Sequence, residues 1–284
     1  MKKKIGVCVV IYNPDEKVIS NMMSYITLFD DCIVVDNSDN SNNSIISTIK
    51  NIKNITYISM GTNSGIAKAL NTGLNILCDK SYDYALTMDQ DSSFPIEYYT
   101  AIYKCIEQYE KEYSIIGLNF NYHNLDKNNE VCEVPYWLTS GNFVNLKDYK
   151  LVGGFENDLF IDYVDIEFGY KLFKANKKIC YLKNYSLKHK IGNPIEINLG
   201  FKKYYSMNHS PIRYYYRYRN SYYLYKKDKL FFKKLFYKEI FINIPKMFIF
   251  ERGRTKKLKM IFAGICAAKN NQMGKYNEVK NEKN

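Results

Sequence analysis

At 284 residues, 46% of them apolar, the chain is long enough for one α/β domain of roughly 200 residues plus an appendage, and only its Asn/Lys-rich end is compositionally biased. The seven cysteines are scattered, odd in number and free of any C-x-x-C pair, which excludes a zinc ribbon and a disulfide framework and fits reduced core residues. The net charge of +12 is uneven: residues 201–284 hold 21 Lys and Arg against 5 Asp and Glu, whereas residues 1–200 hold 20 against 24.

Met1-Lys2-Lys3-Lys4 and the apolar run after it imitate the start of a signal peptide. That run stops at Asn13-Pro14-Asp15 with no small-residue cleavage site, so residues 4–12 are expected to form a first strand buried on both faces. Helical spacing over 16–28 puts Val18, Met22, Tyr25 and Ile26 on one side. Residues 32–35 predict a second strand running into Asp36-Asn37-Ser38-Asp39, followed by a short helix around 45–49 and a third strand at 55–60. Gly61-Thr62-Asn63-Ser64-Gly65 leads into a helix with Ile66, Ala69, Leu70, Leu74 and Leu77 on one face, and 84–88 predict a fourth strand. A helix over 96–109 and a strand at 114–118 come next. Strands at 131–137 and 142–145 flank Leu138-Thr139-Ser140-Gly141, a helix ends at Ala175, and short strands are expected at 178–182 and 186–189.

Strands and helices alternating at such short intervals predict an α/β fold with a Rossmann-like, doubly wound, mostly parallel sheet that binds its ligands at the carboxyl ends of the strands. Asn13, Asp36, Asn63 and Asp89 all fall at such ends. No G-x-G-x-x-G follows the first strand and no G-x-x-x-x-G-K-[ST] occurs, so the dinucleotide and P-loop fingerprints are missing. No run of 18 apolar residues is free of charge, and no transmembrane helix is expected.

The most telling stretch is Asp89-Gln90-Asp91, where the fourth strand runs out. In extended backbone, residues i and i+2 point to one side, so the two carboxylates converge. A divalent ion of the Mg²⁺ or Mn²⁺ kind relieves that repulsion and commonly also binds substrate phosphates. The other reading is an Asx turn at the strand end.

Taken together, Val-Val-Ile-Tyr-Asn-Pro (9–14), Val-Val-Asp-Asn-Ser (34–38), the Asn-Ser-Gly run (63–73), Thr-Met-Asp-Gln-Asp-Ser (87–92), Trp-Leu-Thr-Ser-Gly (137–141) and Phe-Ile-Asp-Tyr-Val-Asp-Ile-Glu (160–167) resemble, in this order, the family 2 inverting glycosyltransferases of the GT-A fold. The subgroup they resemble most is the bacterial rhamnosyltransferases of O-antigen, capsule and cell-wall polysaccharide assembly. His189-Lys190-Ile191-Gly192, Ser210-Pro211-Ile212-Arg213-Tyr214-Tyr215 and Arg219-Asn220 extend the match, which covers roughly residues 5–275.

The resemblance implies a metal-dependent enzyme that transfers a sugar from a nucleotide donor, L-rhamnose from dTDP-L-rhamnose foremost, to a glycan or polyprenyl-diphosphate-linked acceptor. A UDP-sugar donor (galactofuranosyl or hexosyl) and a non-catalytic sugar-nucleotide-binding module are the alternatives. It implies that Asp91, with Asp89 and His189, holds Mn²⁺ or Mg²⁺, and that Asn13, Asp36, Asn37, Asn63, Gly65 and Asp89 receive the donor nucleotide. It implies Asp165 as general base, with Asp162 and Glu167 as second choices, and an acceptor side at Trp137, Ser140 and Gly141. Each has a plainer reading: Asp36-Asn37-Ser38 as a turn, Asp165 as a helix N-cap, His189 as a structural histidine, and Trp137 as core. Gln90 between the two acids is a mild departure that rhamnosyltransferase-like members share.

Residues 1–200 are thus expected to be the catalytic domain and 201–284 a helical, basic and aromatic-rich region. The latter interleaves cations with Tyr and Phe, as at 214–219 and 230–238, without a nucleic-acid reader module. An anionic membrane surface is therefore the expected partner rather than nucleic acid, giving a cytoplasmic protein peripheral to the inner face of the membrane. The sequence leaves open whether the chain forms a homo-oligomer.

Overall fold

The computed structural model describes residues 3–40, 44–120, 130–189, 195–198, 203–206 and 208–276, with backbone alone at 189, 195–198 and 203–206. The chain divides into two compact units, Met1–Asn157 with Val164–Lys190, and Asp158–Tyr163 with Ile191–Asn284.

The first unit is built on β1 (Ile5–Ile11), β2 (Cys32–Asp36), β3 (Ile55–Ser59), β4 (Tyr84–Asp89), β5 (Ser92–Ser93), β6 (Tyr113–Asn119), β7 (Val131–Val134), β8 (Asn142–Asn145), β9 (Lys178–Ser186) and β10 (Lys188–His189). Eight of these form one sheet in the order β3-β2-β1-β4-β8-β6-β9-β7, and β5 pairs with β10 apart from it. Strands β3, β2, β1 and β4 run parallel. Strand β8 is antiparallel to both β4 and β6, and β7 is antiparallel to β9, so the sheet is mixed, with a parallel half made of β3, β2, β1 and β4. Every residue of β1, β2 and β6 is buried, which is why these segments read as unbroken apolar runs.

Helices α1 (Lys17–Met23), α2 (Ser44–Lys50), α3 (Ile66–Asp79), α4 (Tyr99–Tyr109), α5 (Leu146–Leu151) and α6 (Val164–Lys174) belong to this unit. The buried face of α3, Ala67, Leu70, Leu74 and Leu77, has the expected helical spacing. Three expectations need correction. The helix over 16–28 breaks into α1 and a 3₁₀ turn at Ile26–Leu28. The strand at 131–137 stops at Val134, because Pro135 has no N–H for the ladder. The two strands between 178 and 189 are one long β9 followed by the short β10.

The second unit holds the hairpin of β11 (Ile195–Asn198) and β12 (Lys203–Ser206) and four helices: α7 (Pro211–Lys227), α8 (Lys229–Lys238), α9 (Ile244–Phe250) and α10 (Arg254–Lys269). A π turn, Glu239–Asn243, joins α8 to α9 without a break. Pro211 stands at the first position of α7, where a missing N–H costs nothing. Two apolar clusters support the helices, one of Tyr214, Tyr218, Met247 and Ile261, the other of Phe160, Tyr215, Tyr216 and Ala267. The tyrosine-rich run expected on the surface is therefore core.

Candidate active site

The carboxyl ends of β1, β2 and β4 meet at one edge of the sheet. Asp36 lies opposite Ile11 and Asp89 opposite Val10, so the two acids flank the end of β1 from either side. With strands spaced by 4.7–4.9 Å, their backbones stand about 10 Å apart.

Asp36 is fully buried. One carboxylate oxygen accepts the Tyr57 hydroxyl at 2.6 Å and the other accepts the Ser38 N–H at 3.0 Å. Asn13, at φ 43°, donates its N–H to Ser38 Oγ at 2.7 Å, which ties the turn after β1 to the turn after β2. Asn37 donates from Nδ2 to Asn63 Oδ1 at 3.1 Å and accepts the Ser64 N–H at 2.8 Å. Asn63 Oδ1 also accepts the Gly65 N–H at 3.1 Å. Gly65 opens α3 at φ 90°, ψ 156°, a backbone shape essentially restricted to glycine. The structure thus brings Asn13, Asp36, Asn37, Asn63 and Gly65 into one hydrogen-bonded shelf. Lys68 is exposed on α3.

Asp89 is half-buried and Asp91 exposed. The Asp89 N–H donates to Ser140 Oγ at 3.1 Å, and that hydroxyl donates to the buried Ser92 Oγ at 2.9 Å. Gln90 turns the other way and engages both backbone polar groups of Tyr12, at 2.8 and 3.1 Å. Ser92, next to Asp91, pairs through its backbone with His189. The imidazole of His189 lies outside the described residues. Among those described, no group of three or more His, Cys, Asp and Glu side chains converges as a metal site.

On the other side of β4, the Gly141 N–H donates to the Thr87 carbonyl at 2.7 Å and the Gly141 carbonyl accepts the Leu118 N–H at 2.9 Å. Trp137 donates from Nε1 to the Leu118 carbonyl at 2.8 Å and stacks one ring face on Tyr181 at 4.0 Å. The residues between these anchors and β7 lie against α6 at Gly169, where a Cβ would come within 2.5 Å of the Pro135 carbonyl and 2.8 Å of Tyr136 Cβ. That contact sets Tyr136 beside Asp165, four residues earlier on α6. Burial pushes the Tyr136 hydroxyl up, and Asp165 adds to the shift.

Asp165 is the second residue of α6 rather than its cap, and its carboxylate accepts the adjacent Ile166 N–H at 2.9 Å. A helix N-terminus favours the ionised form. Glu167 differs: it is fully buried, and its carboxylate lies 3.4 Å from Lys171 Nζ, which also donates to the Gly154 carbonyl. Asp162 belongs to the second unit, where Arg213 holds both carboxylate oxygens through Nε and Nη2 at 2.9–3.3 Å.

Three supporting residues escaped the sequence reading: Tyr57 on Asp36, Ser38 on Asn13, and Gln90 on Tyr12. Each acts on a neighbour distant in sequence; Ser38 and Gln90 stood inside quoted motifs without these partners, and Tyr57 was not singled out by the sequence at all.

Residues 7–153 match the family model of Glycosyl transferase family 2. The chain belongs to this family. The transferase is 28% identical over 254 residues to the dTDP-rhamnosyl transferase RfbF of Shigella flexneri, covering 80% of this chain and 82% of that protein. Among solved structures it resembles residues 1–349 of S. aureus TarS in complex with UDP-GlcNAc, at a TM-score of 0.60 and 16% identity over 93% of this chain and 81% of that one. It also resembles GalNAc-T7 with UDP, GalNAc and Mn²⁺, at a TM-score of 0.60 and 11% identity over 94% of this chain and 56% of that one. At these identities the structural likeness is one of fold. The family and these neighbours together give the transferase the GT-A fold.

Proposed function

We propose that this glycosyltransferase moves L-rhamnose from dTDP-L-rhamnose, with inversion, onto a lipid-linked or polysaccharide acceptor in cell-surface glycan synthesis. The observation that carries the donor is the similarity to the dTDP-rhamnosyl transferase over four-fifths of both chains. The shelf of Asn13, Asp36, Asn37, Asn63 and Gly65 receives the nucleoside, its side chains already oriented by their mutual hydrogen bonds.

Two carboxylates at a strand end, one half-buried and one exposed, suit an ion that takes its remaining ligands from water and phosphate, as Mg²⁺ does. Asp91 and Asp89, with His189 following them on the paired strand, would hold it. When bound, such an ion neutralises the charge that builds on the departing diphosphate. Asp165 takes the proton from the acceptor hydroxyl as its oxygen attacks the anomeric carbon. The bond from that carbon to the diphosphate oxygen breaks on the opposite side, the electron pair leaves with dTDP, and the anomeric centre inverts. Trp137 and the Ser140-Gly141 turn flank the acceptor. The burial of Glu167 and the ion pair of Asp162 support Asp165 over these two acids as the proposed base.

An anionic membrane surface on the cytoplasmic side is the partner proposed for the basic C-terminal region. The transfer reading is tested by product formation from dTDP-L-rhamnose with wild type and Asp165→Asn. The variant keeps donor binding and loses transfer. Equal turnover by both would remove Asp165 from the chemistry, and transfer by neither would leave a binding module.

A further inference from the structure

We propose that one face of the unbroken helical run 229–250 is the surface by which the transferase lies on an anionic lipid bilayer. This inference rests on the membrane reading of the C-terminal region and on nothing in the transfer chemistry. The run combines α8, the π turn and α9, about 33 Å of helix. Its inward face is packed, with Phe232 and Met247 buried. Its outward face is not polar. Leu230, Tyr237, Phe241 and Phe248 are all exposed, with Leu230 at 92% and Phe241 at 68%; the spacing of seven and four residues keeps the first three in one helical stripe, and Phe248 continues the exposed apolar set beyond the π turn. The Tyr237 and Phe241 rings stack at 5.7 Å along it, and Ile242 and Ile249, the latter 64% exposed, lie alongside.

Within the run every exposed charge is a cation. Lys229, Lys233, Lys234, Lys238 and Lys246 are exposed. The single acid of the run, Glu239, is 4% exposed and neutralised within the unit by Arg217 at 2.8 and 2.9 Å, with Tyr163 donating to it at 2.8 Å. Apolar side chains interleaved with exposed cations match a bilayer whose headgroups are anionic and whose acyl boundary begins just beneath. The π turn contributes to this surface. Pro245 offers no N–H, and its ring crowds the carbonyl of Phe241, four residues back. The helix widens there, with the Ile244 N–H reaching the Glu239 carbonyl five residues back, and both Phe241 and Ile242 face outward. Among the described residues no helix is long and apolar enough to cross a membrane, so the run lies on the surface rather than spanning.

The test is vesicle flotation of the full chain with phosphatidylcholine alone and with phosphatidylcholine plus phosphatidylglycerol. The wild type floats with the anionic vesicles, and less as NaCl rises from about 50 to about 500 mM. The variant Leu230→Ser/Phe241→Ser/Phe248→Ser binds about tenfold more weakly or worse. Leu151→Ser, another exposed apolar residue but on α5 of the first unit, binds as wild type. Thermal unfolding and the thermal response to dTDP, measured on the same preparations, remain at wild-type values in both variants. Undiminished anionic-vesicle binding by the triple variant would overturn the helical face while leaving the membrane reading intact. No flotation of the wild type would overturn both. Displacement from vesicles by an RNA oligonucleotide at lower concentration than by free lipid would assign the cations to nucleic acid and overturn the proposal.

Discussion

The side-chain amide of Gln90 closes a two-way hydrogen bond on the backbone of Tyr12, accepting its N–H at Oε1 and donating from Nε2 to its carbonyl. Strand β4 ends at Asp89, and Gln90 and Asp91 lie in the turn after it, so the extended backbone expected through Asp89-Gln90-Asp91 is not what places the two acids. An acid in the middle position could only accept. It would serve the Tyr12 N–H and repel the carbonyl, so the amide is the side chain that fits.

Replacing Gln90 by Ala removes both bonds and is expected to cost about 1–2 kcal/mol, read as a fall in Tm of several degrees at about 2–4 °C per kcal/mol. Asp91→Ala is expected to leave the unliganded Tm within about 0.5 kcal/mol of wild type while removing the metal-dependent part of nucleotide stabilisation. A thermal melt of each variant, with and without dTDP and Mn²⁺, checks both. The reverse pattern would exchange the structural and ligand roles of the two residues.

Tyr57 reaches Asp36 from the neighbouring strand at 2.6 Å, a charge-assisted bond that fixes the carboxylate in a fully buried site. Tyr57→Phe is expected to cost about 1.5–3 kcal/mol and to weaken dTDP binding as the carboxylate loses its orientation. Calorimetric titration of dTDP into the variant measures the second effect. Wild-type affinity would take Asp36 out of nucleoside recognition.

Asn220 is fully buried on α7 and spreads its amide over the carbonyls of Leu159, Ile161 and Asp162 at 2.8–3.2 Å. Phe160, Asp162 and Tyr163 all have positive φ, a conformation that side chains resist and that this clamp holds in place. The equally buried Arg219 donates from Nε to Asn220 Oδ1 at 3.0 Å and fixes the direction of the amide. Asn220→Ala is expected to destabilise by about 3 kcal/mol or more, measured by urea denaturation. A loss below about 1 kcal/mol would show that the segment holds its shape by other contacts.

How much of this was legible varies with the physics of each element. Strands β1, β2 and β4 announce themselves because burial on both faces disfavours polar residues, and the acids Asp36 and Asp89 stand at the carboxyl ends of β2 and β4. The place of β8 between β4 and β6 is set by hydrogen-bond pairing, which leaves no trace in a four-residue stretch with two apolar residues. The tyrosines at 214–218 and the aromatics at 230–249 have the same composition, yet the first group is core and much of the second is exposed. Composition cannot separate them, because helix phase against a packed neighbour decides burial. Tyr57 was illegible for a related reason, since it acts on an acid that folding alone brings near, and Ser140, expected on the acceptor side, accepts the backbone N–H of Asp89.

Burial pushes the thiols of Cys8, Cys105 and Cys180 and the hydroxyl of Tyr84 up to about 12. In the unfolded chain these groups ionise at about 8.5 for Cys and about 10 for Tyr. A raised folded pKa gives stability that is complete below the unfolded value and is lost as pH climbs toward the folded one. Urea midpoints are therefore expected to hold steady from about pH 7 to 8 and to fall between about pH 9 and 12. A thiol reagent at neutral pH should label the exposed Cys266 quickly and Cys8, Cys105 and Cys180 only on unfolding. Rapid labelling of all seven would contradict the packing described.

The measurement that bears most directly on the central claim is a thermal-shift panel of the transferase with dTDP, UDP, GDP and their sugars, each with and without Mn²⁺ or Mg²⁺. It needs no acceptor, and a ligand at a hundred times its Kd stabilises by about 2.7 kcal/mol. Metal-dependent stabilisation by dTDP and dTDP-L-rhamnose above the UDP and GDP series is the predicted result. Stabilisation by UDP in place of dTDP would contradict the proposed donor, and no response to any nucleotide would contradict the assignment of the Asp36–Asp89 edge as a donor site.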